Sequence, residues 1–343
     1  MTTRQKLGMI LLGVCFCFIV GESTLLAQQK VNAQYCSYSV GSTQYIWTVA
    51  HANLINKYSK KIQVNPSFCG AETAVIKLLG QGKTEFGEIC NMEVEFAKRG
   101  EWGYKKNPED AKNYVKKLRA VFYEPYGSMQ MITLANSTIF SYKDLRGKRV
   151  SLGSAAHTAH PILKLAFKTE GLDWEKGDYS PVYFSGGSGQ GPDCCADGTL
   201  DAYYTNNPSR QPSTMNITTT HKIRLFGFSS LEKSKEFFAV MDKTYGKGLI
   251  RPIVLQPKLY GENQVNTEPV NCIAFDLIIA TRADLDDEIV YEFTKHLFDN
   301  LKEFYETGGM DSKLITLEGA MKNISIPFHP GALKYYREKG LIK

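Results

Sequence analysis

The chain has 343 residues, a length that suits two domains better than one typical hydrophobic core. Its hydrophobic content of 43% and charged content of 22% are ordinary for a globular protein. The net charge is +6, and lysine and arginine are scattered among acidic residues without a dense basic block, which argues against a nucleic-acid-binding protein.

The first 27 residues read as a cleavable secretory signal. Arg4 and Lys6 precede an apolar run over residues 9–21, which is too short to span a bilayer comfortably. Small residues follow, and cleavage is expected within residues 23–33. A lipoprotein anchor at Cys15 is the alternative. The mature protein is therefore expected to be extracytoplasmic.

Six of the eight cysteines follow this signal, and an oxidising compartment favours disulfides between them. Cys69 and Cys90 lie one αβ unit apart and are the favoured pair. Cys194 and Cys195 are adjacent, so a bond between them would be strained. The cysteine and histidine spacings do not match a zinc site. We expect no metal and no cofactor.

The next segment alternates between strand and helix patterns. Strands are predicted over residues 35–43, 62–68 and 84–90, and helices follow each of them. This β-α-β-α-β order predicts a parallel sheet.

The pattern then recurs. Strand-like segments begin at residues 128, 149, 180, 201 and 221. One long apolar strand is predicted over residues 272–284, followed by an amphipathic helix. The terminal stretch contains Pro330, which suits the first position of a helix that packs on the body of the protein.

Three strand-to-helix turns contain small residues, namely Gly41-Ser42-Thr43, Cys69-Gly70-Ala71 and Gly153-Ser154-Ala155. Helix N-termini attract anions, and ligands in open α/β sheets lie outside the carboxyl ends of the strands. The turns therefore predict a cleft between two lobes that favours an anion.

Four segments together resemble one known family. They are HPGALKYYRE (329–338), RADLDDEIVYEFTKHLF (282–298), DLRGKRVSLGS (144–154) and ADGTLDAYY (196–204). They are similar to the TAXI family of solute receptors, which serve tripartite ATP-independent periplasmic (TRAP) transporters. The resemblance implies a type II periplasmic-binding-protein fold, α/β, with two βαβ lobes and a ligand cleft between them. It also implies a periplasmic location and an ion-gradient-driven TRAP membrane permease as partner. Lobe one is expected over residues 35–125 plus 256–343, and lobe two over residues 126–255.

The family's ligand loops transfer in part. The first loop matches at Gly41, Ser42 and Thr43, and the second and third loops depart from the family pattern, as does the loop in lobe two. The expected ligand-binding residues are Gly41, Ser42, Thr43, Gln44, Tyr45, Gly70, Ala71, Glu72, Asn91, His157, Thr158, Tyr204, Asn206 and Arg210. Because the departures lie where the ligand would be touched, the family's ligands do not transfer to this chain.

Several of these residues have two interpretations. His157 either donates to a ligand or is a surface or capping group. Glu72 either complements the helix dipole or faces the cleft, where it would favour a ligand with a donor or cationic group. Tyr204 lines the cleft or belongs to the core. Arg210 is a carboxylate clamp or a solvated surface residue.

Three functions are compatible with the sequence. The first is a receptor that captures a small organic acid or amino-acid-like ligand and delivers it to the permease. The second is a stand-alone ligand sensor of the same fold. The third, an exported enzyme, is disfavoured because the chain has no Gly-x-Ser-x-Gly elbow, and the Gly-rich segment 186–191 lacks the Lys-Ser/Thr of a phosphate loop.

Overall fold

The computed structural model describes residues 30–38, 42–70, 72–125, 127–155, 157–184, 188–207, 209–309 and 311–343. The predicted signal segment and Cys15 lie outside the described residues. Within the described ranges, no helix is both long enough and apolar enough to cross a membrane.

The strands are β1 (Val31–Ser37), β2 (Ile62–Phe68), β3 (Phe86–Cys90), β4 (Leu118–Glu124), β5 (Ser128–Leu134), β6 (Arg149–Ser151), β7 (Ser180–Val182), β8 (Ala202–Asn207), β9 (Ile223–Phe226), β10 (Ile250–Leu255), β11 (Val270–Phe275) and β12 (Leu277–Arg282). The α-helices are α1 (Thr43–Tyr58), α2 (Glu72–Gly80), α3 (Asn91–Arg99), α4 (Pro108–Lys117), α5 (Ala159–Thr169), α6 (Gly191–Ala196), α7 (Pro212–Ile217), α8 (Leu231–Tyr245), α9 (Asp287–Phe298), α10 (Leu301–Thr307) and α11 (Pro330–Glu338).

These strands form two sheets, one in each lobe. The first sheet has the order β2-β1-β3-β12-β4, with β1 parallel to β2 and β3, and β12 antiparallel to both of its neighbours. The second has the order β10-β11-β5-β8-β6-β7, with β9 also paired to β5. Two separate α/β sheets confirm the predicted fold class, a two-lobed type II periplasmic-binding-protein fold.

The chain crosses between the sheets at two places, after β4 and between β11 and β12. The long strand predicted over residues 272–284 is therefore two strands in different sheets, and Asp276 separates them. A buried charged residue within an apolar run marks this break. The second sheet extends to Phe275, past the expected lobe boundary at residue 255, because β10 and β11 pair with each other.

The C-terminal helices pack on the first sheet. Helices α1, α9 and α11 share one apolar cluster on the same face, in which Phe86 and Phe293 stack with ring centroids 3.6 Å apart. His329 caps α11 by accepting a hydrogen bond from the backbone N–H of Gly331. The hydroxyl of Tyr336 donates to the carbonyl of Val121 in β4 at 2.7 Å. The terminal stretch is thus bound to lobe one.

The predicted Cys69–Cys90 disulfide is wrong. Cys69 is bonded to Cys36, with their Cα atoms 5.4 Å apart. Strand β1 lies between β2 and β3, so the end of β2 is adjacent to Cys36, whereas Cys90 is one strand farther away. Cys90 lies buried in β3 outside this bond. Sheet order, which the cysteine spacing does not encode, decides the pairing.

Candidate functional site

Polar side chains from the two lobes meet at the carboxyl ends of the parallel strands. The hydroxyl of Thr43, at the start of α1, donates to Asn207 Oδ1 at the end of β8, at 2.9 Å. The hydroxyl of Thr158, which precedes α5, donates to Glu93 Oε2 of α3 at 2.7 Å. These contacts join the lobes across the region where the sequence predicts the cleft.

The first predicted loop forms the N-terminus of α1. Ser42 is its N-cap, and its hydroxyl accepts a hydrogen bond from the backbone N–H of Tyr45 at 3.2 Å. Tyr45 is half-buried, whereas Gln44 is buried at 1% exposure. Gly41 lies outside the described residues. The N-terminus of α1 lies at the junction of the lobes, where Thr43 contacts Asn207.

The second predicted loop forms the turn before α2, and the third, at Asn91, contacts the C-terminal segment. Gly70 has φ +91°, a left-handed conformation that suits glycine just before α2. Glu72 is the first residue of α2, and Ala71 lies outside the described residues. Asn91 is occupied elsewhere: its Nδ2 donates to the carbonyl of Asn323, and its Oδ1 accepts from the backbone N–H of Ser325. Asn91 therefore anchors the C-terminal segment to α3.

In lobe two, His157 lies between aromatic rings of both lobes. Its ring centroid is 6.5 Å from that of Tyr38, which follows β1, and 6.1 Å from that of Tyr204 in β8. Tyr204 and Asn206 are buried along β8, and Arg210 is exposed beyond the strand end. The structure thus brings His157 and Tyr204 together with lobe one, while Arg210 lies on the protein surface.

Two buried carboxyl groups in lobe one were missed by sequence reasoning. Glu88 in β3 is fully buried and accepts hydrogen bonds from the hydroxyls of Ser37, at 3.0 Å, and Thr48. Glu124, the last residue of β4, is 1% exposed. Burial, together with the nearby Glu88, raises the pKa of Glu124 well above its ordinary value. An acidic residue inside an apolar strand, as in FGEIC (86–90), is the signal that could have identified Glu88.

The two crossings between the lobes lie side by side. The backbone N–H of Phe275 approaches the carbonyl of Gly127 at 3.4 Å. A side chain at Gly127 would collide with β8, because a Cβ built there lies 2.1 Å from the carbonyl carbon of Asn207. Asp276 is buried and forms an ion pair with Arg251 at 3.2 Å. This pair of crossings is the only covalent connection between the lobes among the described residues.

Over the ranges that the structure describes, no group of three or more His, Cys, Asp or Glu side chains is arranged to hold a metal ion. The side chains that meet at the lobe junction form hydrogen bonds and aromatic contacts.

Comparison with known proteins gives one family and several distant structural likenesses. Residues 37–340 match the model of the NMT1-like family. The periplasmic aliphatic sulphonate binding protein SsuA from Escherichia coli is 16% identical with a TM-score of 0.40, over 57% of this chain and 59% of that one. A putative L-cystine ABC transporter protein from Listeria monocytogenes is 14% identical with a TM-score of 0.45, over 85% of this chain and 98% of that one. The ectoine-binding protein of the TeaABC TRAP transporter of Halomonas elongata is 13% identical with a TM-score of 0.44, over 90% of this chain and 91% of that one.

Proposed function

The chain belongs to the NMT1-like family, and from this premise we propose that it is an extracytoplasmic solute receptor that binds one small molecule between its lobes. The proposal places the mature protein in the periplasm after removal of the signal segment. Its role is capture and delivery of an unchanged solute, without catalysis.

One observation carries the proposal. Two α/β lobes are connected by two adjacent crossings, and buried polar groups of both lobes converge at the carboxyl ends of the parallel strands. Ligands of open α/β folds bind at this edge. A pair of adjacent crossings also lets one lobe rotate against the other, which is the geometry of hinge closure.

The contacts across the junction suggest how closure would respond to a solute. In the proposed mechanism, Thr43 and the first N–H groups of α1 bind the solute from lobe one, and His157 binds it from lobe two. The bonds Thr43–Asn207 and Thr158–Glu93 join the lobes directly and favour the closed arrangement. A solute that contacts both lobes shifts the population further toward that arrangement.

The finer parts of the proposal rest on the sequence resemblance to TAXI receptors. We propose a small organic acid or an amino-acid-like molecule as the solute, and an ion-gradient-driven TRAP permease as the partner. Reconstitution of the receptor in proteoliposomes with a candidate TRAP permease, or with a candidate ABC importer, separates the two transporter classes. Uptake that follows an imposed ion gradient without ATP supports the proposal, and uptake that requires ATP hydrolysis contradicts it.

The binding site is tested by a thermal-shift screen of the mature protein, because a true ligand raises the melting temperature by mass action. The identified solute is then measured by calorimetry against Thr43→Ala, His157→Ala and Arg210→Ala. Thr219→Ala and His221→Ala, away from the lobe junction, serve as matched controls. Loss of one neutral hydrogen bond, about 1 kcal/mol, weakens affinity about fivefold.

Three outcomes are informative. If all three site variants keep their affinity within about twofold while remaining folded, the cleft assignment is wrong. If only Arg210→Ala is silent, as its exposure suggests, the anionic group is bound by the N-terminus of α1 instead. Recovery of a chemically altered solute after incubation would contradict the proposed absence of catalysis.

A further inference from the structure

We infer that the solute bound at the lobe junction carries a protonated amine, and that this amine lies against the buried carboxyls of Glu88 and Glu124 in lobe one. The inference rests on the proposed function and narrows its ligand class. Its starting point is the placement of two acidic residues in the interior of the first sheet, at the edge that faces lobe two.

The register of the first sheet places both acids on one face. Cys90 pairs with Leu277, and Leu277 pairs with Glu124, so the three side chains share a face. Glu88 precedes Cys90 by two residues and therefore lies on that same face. The two acidic residues are separated sideways by two strand spacings, about 10 Å between backbones. Side chains of this length extend across much of that gap.

Glu88 already has partners within the protein. Its Oε1 accepts from Ser37 at the end of β1 and from Thr48 of α1. These bonds keep the carboxylate at the strand ends under α1. Glu124 differs, because its Oε1 is buried and has no hydrogen-bond partner among the described residues. A buried acceptor without a donor is uncommon in proteins and is expected where a ligand supplies the donor.

The buried side-chain amide of Gln44 has a donor that the protein also leaves unpaired among the described residues. Gln44 is 1% exposed, and its Nε2 has no hydrogen-bond partner in the part of the chain that is described. Gln44 lies one helical turn before Thr48, on the same face of α1. Because helical side chains tilt toward the N-terminus, Gln44 extends past Glu88 toward the strand ends. The orphaned amide is therefore directed at the same edge of the sheet as the two carboxyls.

The location of Glu124 links this group to the lobe junction. Glu124 is followed directly by the first crossing, and Gly127 in that crossing packs against the backbone of Asn207. Asn207 in turn accepts the hydrogen bond from Thr43, the neighbour of Gln44. The start of α1, the end of β4 and the end of β8 thus surround one polar region, which a solute between the lobes would reach.

The charge of this region selects the chemistry of the solute. A carboxylate placed here would add a further negative charge beside Glu88 and Glu124 in a medium of low dielectric constant, where charge repulsion is strong. A protonated amine instead donates to Glu124 Oε1 and offsets the repulsion between the acids, through charge-assisted hydrogen bonds. An anionic group of the same solute then lies toward the N-terminus of α1 and His157. This arrangement favours an amino-acid-like zwitterion over a simple organic acid.

The test is a thermal-shift and calorimetry panel of matched pairs. Each pair contains an amine-bearing acid and its deaminated counterpart: L-glutamate with glutarate, L-leucine with 4-methylpentanoate, and γ-aminobutyrate with butyrate, extended to the other common amino acids. We expect the binders to come from the amine half. Glu124→Gln, which keeps the shape of the side chain, should weaken the affinity for the amine binder at least about tenfold. Glu262→Gln, at an exposed acid of lobe two, is the matched control and should change nothing.

The outcomes separate this inference from the proposed function. Binders found in the deaminated half, or a Glu124→Gln affinity within about twofold of the parent, overturn the inference and leave the receptor function intact. If no solute from either half raises the melting temperature, the proposed solute class is wrong and the amine inference fails with it. Circular dichroism of Glu124→Gln establishes that the variant is folded.

Discussion

The Cys36–Cys69 disulfide provides a prediction whose size follows from the structure. The bond closes a loop with a sequence separation of 33 residues, from β1 through α1 to the end of β2. Closing such a loop restricts the unfolded chain, and the chain-entropy relation gives a stabilisation of about 3.7 kcal/mol at 25 °C. The unfolding entropy of a chain of this size is about 0.65 kcal/mol per kelvin at the melting temperature. Removing the bond should therefore lower the melting temperature by about 6 °C.

The assay compares the oxidised parent, the reduced parent and the double variant Cys36→Ala/Cys69→Ala by scanning calorimetry. The reduced parent retains both sulfur atoms, so its difference from the oxidised parent isolates the covalent bond from any loss of packing. Cys194→Ala is the matched control, because Cys194 is a free, partly buried cysteine. It should melt with the parent.

Two results would refute the reasoning. One is a change in melting temperature of less than about 1 °C for both the reduced parent and the double variant. The other is non-reducing peptide mapping of the exported protein that finds Cys69 linked to any cysteine except Cys36. The first would contradict the entropic argument, and the second would contradict the order of strands in the first sheet.

Three further predictions concern the lobe junction. Gly127→Ala should destabilise the protein by about 2–3 kcal/mol in urea unfolding, since its Cβ would overlap a backbone carbonyl of β8; Gly189→Ala, with open space around it, should be neutral. Arg251→Met should cost about 2 kcal/mol, because it removes the ion-pair partner of the buried Asp276, and an unchanged urea midpoint would rule this out. Burial and a neighbouring acid raise the folded-state pKa of Glu124. Its contribution to the free energy of unfolding is therefore fully present below its ordinary pKa, near 4.5, and is lost as the pH rises through the raised value. Glu124→Gln should therefore raise the melting temperature at about pH 8 and lose that advantage near pH 4; a lower melting temperature at both values would contradict the sign.

The elements of lobe one were predictable because their local patterns agree with their tertiary roles. Segment 62–68 alternates as a strand, and the turn at Gly70 begins a helix, as the structure shows. The boundary of lobe two was not predictable in the same way. Residues 272–284 read as one long, mostly apolar strand in which Asp276 is a single charged interruption, and the pairing of β11 and β12 in different sheets shows that the strand breaks there.

Some residues of the candidate site were predictable from the sequence, and others were not. Thr43 and His157 lie in strand-to-helix turns, where composition and position are informative, and the structure brings both to the lobe junction. Glu88 and Glu124 lie within or at the end of strands, where an acidic residue is usually on a solvent-exposed face. The apolar neighbours of Glu88 in FGEIC are a local signal of its burial, whereas its partner Thr48 comes from α1, which covers that face of the sheet. The position of Glu124 beside these groups depends on strand order, which is a tertiary property.

The position of β12 has a consequence for how the molecule is assembled. This strand lies between β3 and β4 in the first sheet, yet it is synthesised only after all of the second sheet. Without it, β3 and β4 have no common partner, so the first 125 residues alone cannot complete their sheet. Lobe two, by contrast, is continuous in sequence from β5 to β11 and contains all the strands it pairs. Because pairings over long sequence separations form late, lobe two should fold first and provide the scaffold on which lobe one closes. A truncation after Phe275 would thus leave lobe two folded and lobe one open, exposing the apolar edge of β3.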